Sequence, residues 1–232
     1  MQLYVFKMFQ ATAMVVQGYA KYSRAPNKIP YSVDDYVAVI GLAAETKINP
    51  LVVDKDVKWQ PRAFKGQILK RGGEADILVP QIKSEGCPYG VTECEQRFAV
   101  IKEACHTLLN VENDFVDQLS SHVARVVTAG SSVVLNDLSP LLQDEYLGEV
   151  AAMELLLPFD KRDGYREQLE RGDVTALDIA HRYKVPEKKV IEILSDEIHI
   201  GLAQFREQWM NELDNHVAGM QVPVVEIPPR RD

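Results

Sequence analysis

The stretch Arg97-Phe98-Ala99-Val100-Ile101-Lys102-Glu103-Ala104-Cys105-His106 decides how the chain is read. Phe98, Ile101, Cys105 and Leu108 recur at helical spacing, which predicts a helix over about 95–109 with those side chains in the core. Lys102 to His106 has the build of an H-E-x-x-H pattern whose first histidine is a lysine. In the intact pattern, imidazoles at i and i+4 share one helical face and one zinc ion. The glutamate between them takes a proton from metal-bound water. Glu103 and His106 keep that register, but position 102 carries an ammonium group.

The rest of the composition narrows the setting. A chain of 232 residues, 46% hydrophobic and 26% charged, suits one or two compact domains with a sizeable core. A formal charge of -8 disfavours diffuse binding to nucleic acid or to anionic membranes. Cys87, Cys94 and Cys105 are too few and too irregular for a disulfide framework, and reduced thiols are expected. The opening residues 1–16 are apolar but carry no basic leader, are broken by Lys7 and Gln10, and fall short of a bilayer span. They are expected to form a buried strand or helix, and the protein to be cytoplasmic.

Local signals order the remainder. Ser32 as N-cap, Asp34 and Asp35 in the first turn, and Tyr36, Val39, Ile40 and Ala43 on one stripe predict a helix over 32–47, stopped by Asn49-Pro50. A short strand at 51–53 follows, then a hairpin of 64–69 and 75–79 around Lys-Arg-Gly-Gly. Beyond the motif helix, a second helix is expected over 114–128, with His122 on its apolar face. A third opens at Ser139-Pro140 and closes before Pro158. Short helices at 165–171, 176–183 and 187–195, a longer one at 197–217, and an extended tail over 222–232 complete the reading.

Glu145-Tyr146-Leu147-Gly148-Glu149 runs directly into Val-Ala-Ala-Met-Glu-Leu-Leu-Leu-Pro158. With Arg97-Phe98, Glu103, His106 and Leu108 ahead of it, this resembles the ImmA/IrrE family of zinc metallopeptidases. That family reads approximately R-F-x-x-x-H-E-x-x-H-x-L and then E-x-x-A-N-x-F-A-x-x-L-L-M-P. Downstream, Ala180-His-Arg-Tyr-Lys-Val-Pro-Glu-Lys-Lys-Val190 is similar to the family's A-x-x-F-x-V-S-x-x-x-V segment, so the resemblance spans about 32–195. It implies an α+β, zincin-like domain with a small antiparallel sheet over 1–158, a helix-turn-helix-like helical subdomain over 159–220 and a flexible tail over 221–232.

The resemblance also implies roles. Glu103 matches the catalytic base, His106 a zinc ligand, and Glu145 the third ligand. Glu149 stands where the family has a supporting Asn, and Lys102 where the first ligand belongs. The family's proteins cleave or antagonise repressor-type regulators in phages, mobile elements and stress responses, so a regulatory protein is the expected partner.

Lysine ligates zinc only as the neutral amine, against an intrinsic pKa of about 10.4. The expected alternative is that the Lys102 ammonium fills the vacated cation position and pairs with Glu145 or Glu103, which abolishes the water-activating centre. No cofactor is then expected; zinc is the cofactor if the site works as an endopeptidase. The helical pair over 174–194, with Arg182, Lys188 and Lys189, could also present a helix to a DNA groove. Glu187 and Glu192 dilute its charge, and a structural role is the reading preferred here.

Overall fold

The computed structural model describes residues 2–53, 66–82, 91–109 and 140–217. Within them the protein is mixed α+β and mostly helical, with eight helices and one sheet of three strands. No described helix is long and apolar enough to cross a membrane.

Helix α1 (Gln2–Tyr22) buries Met8, Thr12, Val15 and Tyr19, spaced as one face of a helix, so the opening segment is a packed helix. Helix α2 (Val33–Ala43) starts at Ser32, whose hydroxyl accepts from the Asp35 amide as expected of an N-cap. It ends earlier than the sequence predicts. Glu45 takes a left-handed conformation (φ 50), and the Thr46 amide donates back to the Gly41 carbonyl at 2.9 Å. A Cβ at Gly41 would lie 2.7 Å from the Thr46 oxygen, so this tight exit requires glycine there. The chain then enters strand β1 (Lys47–Val53), and Asn49-Pro50, read as a helix stop, lies inside that strand. An edge strand tolerates the missing N–H of Pro50.

Strands β2 (Gln67–Arg71) and β3 (Glu74–Pro80) form the hairpin, closed by Gly72 (φ 60) and Gly73, with Arg71 opposite Glu74. The sheet order is β1-β3-β2, and β1 runs parallel to β3 while β2 runs antiparallel to it. The sheet is therefore mixed, a correction to the antiparallel expectation. Its physical basis is that β3 carries Ala75, Ile77 and Val79, all essentially fully buried, and so takes the centre. Strand β1 pairs along the other side of β3, parallel to it. A hairpin signal reports neighbouring strands only and is silent on the third.

Helix α3 (Glu93–Leu108) begins with a reciprocal capping box between Thr92 and Glu95, and Gln96 donates to the Pro80 carbonyl, fixing α3 to the end of β3. Residues 98–107 are buried without interruption, because α3 is enclosed by the sheet, α2 and α4. Helix α4 (Pro140–Leu156) is likewise buried on every side from Leu147 to the following Leu157. Such a helix has no solvent-facing side, so any charge it carries there must be paired inside the protein. Four helices follow: α5 (Phe159–Glu170), α6 (Ala176–Tyr183), α7 (Glu187–Leu194) and α8 (Asp196–Val217). The expected helices at 165–171 and 197–217 thus begin earlier, while the one expected at 114–128 and the tail lie outside the described residues.

One hydrophobic core joins these elements. Tyr19 stacks on Tyr36 at 4.1 Å, Tyr31 from the segment before α2 meets Tyr183 of α6 at 6.3 Å, and the Tyr36 hydroxyl donates to the Leu155 carbonyl at 2.9 Å. Arg97 donates to the Tyr31 carbonyl at 2.7 Å and to the Lys184 carbonyl at 3.3 Å, tying α3 to the turn between α6 and α7.

Candidate functional site

Helices α3 and α4 enclose a charged cluster in this apolar setting. Lys102, Glu103 and His106 project from α3 with side chains only 5% exposed, and Glu145 meets them from α4 at 20%. The Lys102 ammonium donates to Glu145 Oε1 and lies 2.8 Å from Glu103 Oε1. The second oxygen of Glu145 is 3.5 Å from His106 Nε2. One ammonium is thus shared by two carboxylates, one of which also faces the imidazole.

The backbone makes room for this arrangement at two glycines. A Cβ on Gly66, just before β2, would lie 2.9 Å from Glu103 Oε1, and one on Gly148 would lie 2.7 Å from His106 Cε1. Lys70 of β2 donates to the His106 carbonyl at 3.3 Å near the C-terminal end of α3, where carbonyls lack helical partners.

The electrostatics favour the charged forms. Burial works against the Lys102 ammonium, but Glu103 and Glu145 outweigh it and hold the amine above its ordinary pKa. Burial also works against the Glu145 carboxylate, yet the hydrogen bond to His106 and the Lys102 charge pull it well below the usual carboxylate range.

The donor set does not fit a zinc ion. An ammonium has three N–H donors and no lone pair, and Lys102 points that group at the carboxylate that would have to ligate the metal. Among the described residues no three His, Cys, Asp or Glu side chains converge on a point that could hold a metal ion. Cys105 offers no replacement: its side chain is buried, and burial pushes the thiol up to about 12. His122 lies outside the described residues.

Two further residues have partners that the local sequence does not declare. Glu149 does not support His106, because it pairs instead with Lys189 of α7 at 2.6 Å. His106 Nδ1 is left buried without a partner among the described residues. Lys189, in turn, is not free to meet a phosphate. It is buried, bonds Glu192 at 2.8 Å as well as Glu149, and sits 5.9 Å from the Phe98 ring. Burial works against this ammonium, but the two carboxylates hold its pKa above the ordinary value. Arg182 and Lys188 are exposed on the outer sides of α6 and α7.

Sequence reasoning missed a third charged contact of α4. Glu154, inside the run Val150 to Leu157, bonds Arg162 of α5 at 2.8 Å, and Arg162 is fully buried while also donating to the Leu157 carbonyl. The signal was available: a glutamate within an apolar run is rarely buried unless paired. Comparison with protein-family models, with curated proteins and with solved structures found no match.

Proposed function

We propose that the chain is an ImmA/IrrE-like protein on a zincin-type scaffold that has lost catalysis and acts by engaging a repressor-type regulatory protein. The observation that carries this reading is the Lys102 ammonium held between Glu103 and Glu145, where the resemblance calls for a metal-bound water. A general base needs a proton to abstract; here Glu103 already accepts from a cation that cannot be attacked or exchanged. The tight enclosure of the cluster, with glycine at both close approaches, supports a scaffold used for its shape. Partner capture is what such a scaffold can still do.

The test combines the protein with repressor-type regulators from the same genome, followed by size-exclusion chromatography and intact-mass analysis of both chains. A stable complex containing uncut regulator is expected. A cleaved regulator would overturn the non-catalytic reading, and failure to form any complex would overturn the partner.

A further inference from the structure

The four side chains at the α3–α4 contact have the composition of a cation-binding site, and its occupant is covalently attached. Two carboxylate oxygens, Glu103 Oε1 and Glu145 Oε1, converge on one ammonium. The other Glu145 oxygen is steadied by His106 Nε2 at 3.5 Å. Gly66 and Gly148 leave no spare volume beside Glu103 and His106. His106 is itself 4% exposed with Nδ1 unpartnered among the described residues, so the polar lining exceeds what the lysine alone consumes. The 20% exposure of the Glu145 side chain marks the side from which solvent reaches the group.

We propose that this is a binding site for a primary alkylammonium ion, with the Lys102 side chain as its resident ligand, so that deleting the lysine opens a pocket that takes a free amine. The inference rests on the non-catalytic reading only through Lys102. Amine binding can fail while the regulator complex forms, and the complex can fail while amine binding succeeds.

Primary amines are favoured over other cations by geometry. Three N–H groups can be shared among two carboxylates with one to spare, whereas a quaternary ammonium has none to donate. Lys102→Ala removes the four atoms from Cγ to Nζ, the outline of n-propylammonium. Leaving two carboxylates without their cation in a largely buried site should lower the Tm by about 5–15 °C. Adding n-propylammonium chloride in the tens of millimolar should restore at least half of that loss. Sodium chloride and tetramethylammonium chloride at equal ionic strength should not. Glu145→Gln in the same background should abolish the response.

If Lys102→Ala is unfolded by itself, the readout becomes recovery of the native circular-dichroism spectrum on refolding with and without the amine. The double variant Lys102→Met/Glu145→Gln, which removes both cation and facing charge, serves as the folded reference. Selective recovery by the primary amine supports the site. Equal recovery by all three salts, or none while the double variant folds, overturns it.

Discussion

Replacing Gly148 by alanine tests the seating of α4 on α3 through a single atom. In an unobstructed helix interior, Gly→Ala stabilises by roughly 0.5–1 kcal/mol, because the unfolded chain loses freedom. Gly164 in α5 and Gly201 in α8 have nothing within 4 Å of an added Cβ, so they should show that gain. At Gly148 the new methyl would lie 2.7 Å from His106 Cε1 and 2.8 Å from Nε2. Carbon atoms rest at about 3.5–4.0 Å, so the ring or the helix must yield by roughly 1 Å. The ring has little freedom, being buried and facing Glu145 at 3.5 Å. Overpacking of this kind costs about 1–3 kcal/mol. Against the helix gain, the net expectation is a loss of about 0.5–2 kcal/mol, measured by urea unfolding with an unchanged m-value. His106→Ala removes the obstacle, so Gly148→Ala in that background should revert to a gain resembling those at Gly164 and Gly201. If Gly148→Ala stabilises the parent as much as the two control substitutions do, the imidazole is not where the structure puts it.

Three other outcomes follow from the same geometry. Because Glu145 is held below the usual carboxylate range, its contribution is full above an unfolded pKa of about 4.3 and is lost as pH falls further. Lys102, held above its ordinary value, contributes fully below about 10.4 and less as pH rises beyond it. The Tm gap between the parent and Glu145→Gln should therefore be widest near neutrality and close in acid, and a gap constant from pH 7 to pH 3 would contradict this. Lys102→His should take up about one zinc per chain in a titration followed by metal analysis, and no gain over the parent would remove the basis of the ImmA/IrrE resemblance. With its thiol pushed up by burial and only 1% exposed, Cys105 should hold almost no thiolate at pH 8. Disulfide reagents should then label the half-buried Cys94 long before Cys105; early modification of Cys105 in folded protein would place it at the surface.

The sequence was most legible where a single residue type has one strong local preference. Ser32 and Thr92 as caps, Pro140 and Pro158 bracketing α4, and Gly72-Gly73 at the hairpin all act within a few residues of where they stand. It was least legible where a distant partner decides. Glu45 ends α2 in a conformation that residue rarely takes, under the pull of the Thr46–Gly41 hydrogen bond, and β1 is extended by pairing with β3. At the candidate site, the shared α3 face of Lys102, Glu103 and His106 follows from helical spacing, and the approach of Glu145 came from the resemblance. Glu149 was misread because the lysine that claims it lies 40 residues away on another helix, and nothing local distinguishes a buried amine from a solvated one.

Glu145, Glu149 and Glu154 stand at unequal intervals along helix α4, and each of these acids is met by a cation from a different helix: Lys102 of α3, Lys189 of α7 and Arg162 of α5. A uniformly greasy helix in the middle of a protein has little to fix its rotation or its height, since neighbouring leucines are nearly interchangeable. Here a slip by one residue would turn every acid by about 100° away from its cation. Each stranded charge costs about 3–5 kcal/mol, so two or three together rival the whole margin of a typical fold, about 5–15 kcal/mol. The acids work like the cuts of a key: they admit one alignment of α4 and exclude its neighbours. Any shift of that helix along or about its axis therefore strains all three pairings at once.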